Sequence, residues 1–309
     1  MQRIRLSSAL VIFSLLLSAV GSVSNAAEIA YIHGRVASNG DILEEGEGNP
    51  FDPMLLSDTG SKGLSEFQLL VEGEGHTISS FRDKDTLLTQ ELLDQLDVII
   101  FGLHQKIWTE EEKSLLDSWL RDGGGMFIYS DSASGGSFSI VGAQNPVGQN
   151  VTNNLIADYG MEVTVDQADG VRTERANLDS SLPELNNMDL QGEGVSPVAI
   201  AQDSTDVEIL IPYTSDVNQT QGLTIEDPDY AALALRQIDE GNIIVMFDRQ
   251  PMWNSGPGSH IDRRDNREIL ANVVNFLAAG ADVVDPVDPV DPVDPDATIA
   301  PILDLLLNE

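Results

Sequence analysis

Short apolar runs alternate with segments of helical periodicity along much of the chain, and this alternation predicts strands alternating with helices. The runs that predict strands lie at 28–33 (EIAYIH), 77–81, 97–103 (DVIIFGL), 126–130 (MFIYS) and 243–247 (IIVMF). The continuous apolar core of the run at 97–103 is typical of a strand that is covered on both faces. Short loops between such strands and helices favour a parallel, doubly wound sheet.

The helices between these strands carry end signals of their own. Thr109 to Glu112 form a capping box, in which Thr109 caps the helix and Glu112 stands at the third helical position. The triple glycine at 123–125 ends this helix, and because it precedes a strand it does not open a phosphate-binding loop. The spacing of Leu64, Phe67 and Val71 predicts another helix, and a further one is predicted at about 89–96. Asp265 to Glu268 resemble a second capping box and predict the start of the last helix.

Residues 131–240 interrupt this rhythm. They hold a Gly/Ser-rich stretch, a helix at about 150–159, and strand-like pieces at 161–165, 195–201, 207–213 and 230–236. Because the strand and helix pattern resumes afterwards, we interpret them as a β-rich insertion within one domain. The expected fold is therefore an α/β domain over 27–281, with a doubly wound, mostly parallel sheet and an insertion at about 131–240.

The N-terminus has the pattern of a secretory signal peptide. Arg3 and Arg5 precede an apolar stretch of 12 residues at 9–20, and Ser24-Asn25-Ala26 forms a small-x-small cleavage pattern. An uncleaved anchor is the alternative, but a membrane span needs about 20 apolar residues. The sequence thus predicts a signal peptide at 1–26, a periplasmic or secreted protein, and a mature chain that does not span a membrane.

The C-terminal segment differs in composition from the domain. Residues 282–296 repeat Val-Asp-Pro, and the prolines and like charges predict an extended spacer. A short apolar tail follows at 297–309, and its large apolar side chains predict a helix. Such a helix would dock either on its own domain or on a protein partner.

Charge and cysteine content narrow the range of functions. The net charge of −35 repels nucleic acid and anionic lipid, so neither is an expected partner. The chain contains no cysteine, which removes disulfides, thiolate catalysis and cysteine metal sites together.

Polar side chains follow the predicted strands at the edge where open parallel sheets bind their ligands. The candidates are His33, His104, Asp131, Ser132, Asp248, Arg249 and His260. Imidazoles and carboxylates that converge in one crevice could bind a divalent metal, perform acid–base catalysis or hold a polar ligand. No HExxH or comparable spacing is present, so the sequence assigns no metal ligands and no cofactor.

The order of these pieces resembles the class I glutamine amidotransferase-like superfamily, of the flavodoxin-like α/β type. The resemblance rests on GLSEFQLLVEGEGHTI, LLDQLDVIIFGLHQKIWTEEEKSLLDSWLRDGGGMFIYSD, NNLIADYGMEV and EGNIIVMFDRQPMWNSGPGSHIDRRDNREILANVVNFL, within about 62–279. It is closest to exported or membrane-associated branches of unknown function, and more distantly it resembles trehalose-utilisation-like proteins. The resemblance implies a cysteine nucleophile after the strand that ends at Ser130, where this chain has Asp131 and Ser132. It implies a catalytic histidine at the position of Asp248, so glutamine amidotransferase activity is not expected.

Two interpretations of function remain open at this point. The first is an exported binding or accessory module for a small molecule or glycan, with no catalytic role. The second is a periplasmic or secreted hydrolase that uses His33, His104, Asp131, Asp248 and His260, with or without a metal ion. The missing amidotransferase triad favours the first, because a fold alone does not establish an activity.

Overall fold

The computed structural model describes residues 26–34, 55–102, 104, 106–129, 148–164, 170–202, 204–217 and 223–280. The strands are β1 (Glu28–His33), β2 (Thr77–Arg82), β3 (Val98–Gly102), β4 (Gly125–Tyr129), β5 (Met161–Val163), β6 (Val171–Arg175), β7 (Asp189–Glu193), β8 (Val198–Ile200), β9 (Val207–Pro212), β10 (Asp229–Ile238) and β11 (Gly241–Met246). The helices are α1 (Ser65–Gly73), α2 (Gln90–Leu93), α3 (Glu110–Arg121), α4 (Gly148–Ile156) and α5 (Asn266–Ala278). Residues 1–25 of the predicted signal peptide, the candidates Asp131 and Ser132, the predicted spacer and the predicted tail lie outside the described residues.

The parallel strands follow the order β2-β1-β3-β4-β11. Counted along the chain this is the order 2-1-3-4-5, which defines the flavodoxin-like doubly wound sheet. Apolar side chains of α1 and α5 pack with one face of the sheet, and those of α2, α3 and α4 pack with the other. The two apolar layers are here called the first core, on the α1 and α5 side, and the second core. The predicted α/β fold is confirmed.

The insertion extends this sheet with antiparallel strands. β10 pairs with β11, β8 and β9 pair with β10, and β5 pairs with β8, which gives a sheet of nine strands within the described residues. β6 and β7 form a separate antiparallel pair that the sequence did not predict. Their residues, VRTER and DLQGE, lack the apolar runs from which the other strands were predicted.

Hydrogen bonds to two buried carboxylates stabilise the insertion. The buried carboxylate of Glu162 on β5 accepts hydrogen bonds from the backbone N–H and the hydroxyl of Thr224. The buried carboxylate of Glu174 on β6 accepts from the same two groups of Thr214, at 3.1 and 2.7 Å. Buried carboxylates require such partners, and these two fix polar loops onto short strands.

The capping box at the start of α3 is present as predicted. The Thr109 hydroxyl accepts from the backbone N–H of Glu112 at 3.2 Å, and the Glu112 carboxylate accepts from the backbone N–H of Thr109 at 3.2 Å. After the helix Gly123 adopts φ +105°, a conformation that favours glycine and ends the helix.

Replacing Thr109 with alanine is expected to lower the free energy of unfolding by about 1 kcal/mol, because a helix N-terminal donor then loses its acceptor. Chemical denaturation monitored by circular dichroism measures the change. Ser114→Ala, at an exposed position of the same helix, is the control and should change the free energy by less than about 0.5 kcal/mol. Equal effects of the two substitutions would contradict a capping role.

The second predicted capping box is wrong. Asp265 stands at the start of α5, but its side chain makes no capping hydrogen bond. Its carboxylate instead accepts from the backbone N–H of Asp189 at 2.7 Å. Asn266, which is fully buried, accepts from the N–H of Gln191 at 2.8 Å. The two side chains therefore join α5 to β7, a long-range contact that local sequence spacing does not encode.

Candidate functional site

The candidate site lies at the carboxyl edge of the parallel sheet, where β1, β3, β4 and β11 end. The chain leaves β1 to form β2 on one side and later returns to form β3 on the other. The switch point of the sheet is therefore between β1 and β3, and ligands of doubly wound sheets bind outside the strand ends at this point. His33 is the last residue of β1, and Gly102 is the last residue of β3.

Two buried tyrosines lie beneath this point. The hydroxyls of Tyr31 on β1 and Tyr129 on β4 are 2.7 Å apart and share a hydrogen bond. Both side chains pack against Gly102. A Cβ added at Gly102 would lie 2.2 Å from the Tyr129 hydroxyl oxygen and 2.4 Å from a ring carbon of Tyr31. Burial raises the pKa of the Tyr31 phenol well above its usual range, so this hydroxyl stays protonated near neutral pH.

His33 contacts Tyr31, and the positive charge of Arg249 acts on the Tyr31 phenol. The His33 ring stacks on the Tyr31 ring, with centroids 5.6 Å apart and an interplanar angle of 21°. Burial raises the pKa of the Tyr31 phenol, whereas the Arg249 guanidinium lowers it, because its positive charge favours the phenolate. Strand alternation places Tyr31 and His33 on the same face, since they are two residues apart.

Arg249 also takes part in a cation–aromatic contact. Its guanidinium carbon lies 5.3 Å from the centroid of Trp253, and the ammonium of Lys62 lies 5.3 Å from the same ring. Contacts within about 6 Å are attractive because the ring face is negative. Tyr31, His33, Tyr129, Arg249, Trp253 and Lys62 are here called the edge cluster.

Asp248 is fixed by the neighbouring β7 strand. Its side chain is 1% exposed, and one carboxylate oxygen accepts from the backbone N–H of Glu193 at 2.7 Å. The Gln250 amide donates to the carbonyl of Glu193 at 2.9 Å. An added Cβ at Gly192 would lie 2.9 Å from the same carboxylate oxygen of Asp248. At the position where the family resemblance implies a catalytic histidine, this chain therefore has a buried carboxylate that bonds to backbone.

His104 packs on the other side of the sheet. Its ring contacts Phe101 edge-on at 5.3 Å and Trp108 at 6.5 Å, and Phe101 and Trp108 belong to the second core. Burial lowers the pKa of His104 to about 4, although a hydrogen bond to the backbone of Val151 opposes the shift. Because Tyr31 belongs to the first core, the structure does not bring the imidazoles of His33 and His104 together.

His260 lies in the loop before α5 and bonds within that loop. Its Nδ1 accepts from the backbone N–H of Asp262 at 3.3 Å, and its carbonyl accepts from the Asn266 amide at 2.8 Å. Partial burial lowers the pKa of His260, and the charge of Arg263 lowers it further. Of the seven candidates, Asp131 and Ser132 lie outside the described residues. The structure places His33 against Tyr31, Arg249 against Trp253, Asp248 beside β7, and His104 and His260 in separate surroundings.

The sequence prediction missed the aromatic members of this cluster. Tyr31 and Tyr129 lie within the apolar runs that predict strands, although each also carries a phenol, and Trp253 lies in a loop without a predicted role. A tyrosine within a continuous apolar strand was the available signal, because a buried phenol requires a hydrogen-bond partner. Lys62 carried no such signal.

Further features of the described ranges bear on the site. They contain no group of three or more His, Cys, Asp or Glu residues that could hold a metal ion.

A cleft of about 420 Å³ lies between α3 and the end of β10, away from the edge cluster, and its lining includes Asp117, Arg121 and Tyr159. No helix within these ranges is long and apolar enough to cross a membrane.

Comparison with known proteins finds similarity among solved structures. No protein-family model and no curated protein matches the chain. Among solved structures, the mmIFT52 N-terminal domain is similar with a TM-score of 0.53 and 13% identity over 81% of this chain and 97% of that chain. A ThuA-like protein from Bacteroides uniformis has a TM-score of 0.48 and 12% identity over 81% and 92% of the two chains. A GMP synthase-like protein from Thermoplasma acidophilum has a TM-score of 0.40 and 11% identity over 82% and 95%. The likeness is one of fold alone.

Proposed function

We propose that this chain is an exported α/β domain without amidotransferase activity, which binds a polar ligand such as a carbohydrate at the carboxyl edge beside β1 and β3. The observation that carries the proposal is the edge cluster at the switch point of the sheet. Export is proposed from the signal-peptide pattern at 1–26, and the lack of cysteine removes the nucleophile of the family mechanism.

The chemistry of the edge cluster suits a polar ligand. Ligand sites combine apolar and aromatic walls with a few placed polar groups. Here the Tyr31 ring stacks on the imidazole of His33 and bonds to Tyr129, and the Trp253 ring lies beside the guanidinium of Arg249. Arginine donates hydrogen bonds in a fixed planar fork, which matches paired hydroxyls or carboxylates of a sugar.

The positions of the imidazoles favour binding over the alternative, a hydrolase with a His/Asp cluster. Acid–base catalysis requires groups within reach of one reacting atom. His33 stacks in the first core and His104 is buried in the second. Asp248 already accepts a backbone hydrogen bond, so none of these contacts supplies a nucleophile–base pair.

A thermal-shift experiment on the exported protein tests the proposal. The probes are cellohexaose, a neutral oligosaccharide, and oligogalacturonate, an acidic one. A probe at about 100 times its Kd should stabilise the protein by about 2.7 kcal/mol. We expect Arg249→Gln to abolish most of that increment, because it removes the guanidinium of the edge cluster.

The control is Arg175→Gln on β6, an exposed arginine that pairs with Asp189 at 2.8 Å and lies outside the edge cluster. It should leave the increment caused by the probe unchanged. If neither probe stabilises the wild-type protein, the carbohydrate proposal is wrong. If Arg249→Gln keeps the full increment, the ligand binds elsewhere.

A further inference from the structure

The start of β1, at the opposite edge of the sheet from the candidate site, contains a hydrogen-bond chain that the proposed function does not use. The backbone N–H of Ala27 donates to Nδ1 of His76 at 3.1 Å. Because this nitrogen accepts, the ring proton is on Nε2, which donates to the Asn275 side-chain oxygen at 2.9 Å. The Asn275 amide then donates to the carboxylate of Glu74 at 2.8 Å.

The first buried residue of the domain coincides with the predicted cleavage pattern. Ala26 is exposed, whereas Ala27 is 2% exposed and its carbonyl accepts from the N–H of Thr77 on β2 at 2.9 Å. The small-x-small pattern of Ser24-Asn25-Ala26 ends at the residue before it. These two observations are independent, since one comes from the leader sequence and the other from the packing of β1.

We propose that the Ala26–Ala27 peptide bond is the processing site, and that the α-amino group released at Ala27 is held by His76. Hydrolysis of this bond consumes one water, leaves a carboxylate on Ala26 and an amino group on Ala27, and releases residues 1–26. The inference rests on the proposed export. It goes further in assigning a receptor for the amine of the first mature residue, and it supports the predicted cut with the packing of β1.

The surroundings of Ala27 suit a positively charged amine. His76 follows the C-terminal end of α1, and Asn275 lies in the last turn of α5. Helix C-termini carry partial negative charge and stabilise nearby cations. The chain of hydrogen bonds ends on the carboxylate of Glu74, and the next N–H, that of Glu28, donates to the carboxylate of Asp97 at 2.8 Å.

The experiment uses the full chain expressed in a bacterial host that exports proteins. The protein recovered from the periplasm or medium is analysed by intact mass and by N-terminal peptide sequencing, and its first residue is expected to be Ala27. Ala26→Phe changes an exposed residue but removes the small side chain required before the cut, so it should prevent cleavage at this bond.

Amine acylation near neutral pH then tests the receptor. The Ala27 amine of the folded wild-type protein should react slowly. His76→Gln removes the acceptor of this amine, and Asn275→Ala removes the partner that holds His76. Each substitution should therefore speed labelling of the amine at least about tenfold. Asn272→Ala, one turn earlier on α5, is the matched control, since its amide makes only long contacts of 3.5 and 4.0 Å. Circular dichroism confirms that each variant folds.

The outcomes separate the inference from the proposed function. An exported protein that begins at a residue other than Ala27 overturns the processing site and leaves export intact. A protein that begins at Ala27 but is labelled equally fast in the wild type and both variants overturns the role of His76. A protein that keeps residues 1–26 and is not exported contradicts the proposed export and the inference together.

Discussion

Replacing Gly102 with alanine is expected to lower the free energy of unfolding by about 3 kcal/mol or more. The new Cβ would lie 2.2 Å from the Tyr129 hydroxyl oxygen and 2.4 Å from a Tyr31 ring carbon. Both rings are buried and joined by a hydrogen bond, so neither can move without breaking that bond or the packing of the first core. Urea denaturation measures the loss.

Gly73→Ala is the control for Gly102→Ala. Gly73 is the last residue of α1, and an added Cβ there would meet no atom within 4 Å. Alanine favours the helix, so this variant should be as stable as the wild type or more stable, by up to about 1 kcal/mol. Similar stability of the two variants would show that the strand ends have room for a side chain at Gly102.

A Gly102→Ala protein that still folds provides a second measurement. Movement of Tyr31 would also move His33, which stacks on its ring at 5.6 Å. We therefore expect the variant to lose the thermal increment caused by an oligosaccharide along with its stability. Gly73→Ala should keep the increment, because α1 carries Gly73 at the other end of the sheet from the edge cluster.

The parallel part of the fold was predictable because its signals are local. Four of the five parallel strands, β1, β3, β4 and β11, are short runs of mostly apolar residues, and the last three are buried along their whole length. The start of α3 was predictable because Thr109 and Glu112 are three residues apart and bond to each other. Local spacing is sufficient when both partners of a contact lie in the same turn of helix.

The hairpin of β6 and β7 was not predictable by the same reasoning. The strands are stabilised by side chains distant in sequence: Glu174 bonds to Thr214, and the backbone of β7 bonds to Asp265 and Asn266. The same long-range contacts explain why Asp265 does not cap α5. A pattern read along the chain cannot show which of two partners a carboxylate will bind.

The candidate site was predicted at the level of the sheet edge but not at the level of its side chains. Strand order can be argued from alternating elements, and the ends of parallel strands then meet at one edge. The direction of a side chain beyond a strand end depends on the loop. His33 is still within β1, so its side chain lies on the same face of the sheet as Tyr31. His104 comes after the end of β3, and its side chain packs into the second core.

The burial of His104 predicts a specific loss of stability in acid. The pKa of its imidazole is about 4 in the folded protein, against 6.5 for an ordinary histidine. The unfolded chain therefore binds a proton between these values that the folded protein does not bind. His104 therefore does not lower the free energy of unfolding above about pH 6.5. As the pH falls from 6.5 to about 4, protonation of the unfolded chain lowers that free energy by about 3 kcal/mol.

His104→Leu should remove this part of the pH dependence. The variant loses the hydrogen bond to the backbone of Val151 and is expected to be less stable at pH 7, but its free energy of unfolding should fall less steeply between pH 6.5 and 4. Urea denaturation at a series of pH values measures both slopes. His260→Gln is the comparison, since His260 is partly exposed and its substitution should change the slope much less.

Parallel acid slopes for the wild type and His104→Leu would show that His104 is not held neutral by burial. The expected difference in slope also bears on function. An imidazole with a pKa of about 4 is uncharged near neutral pH, so the imidazolium form that acts as a general acid is scarce there. Its role is then to fill the second core between Phe101 and Trp108, and the binding proposed at the edge cluster is expected not to require it.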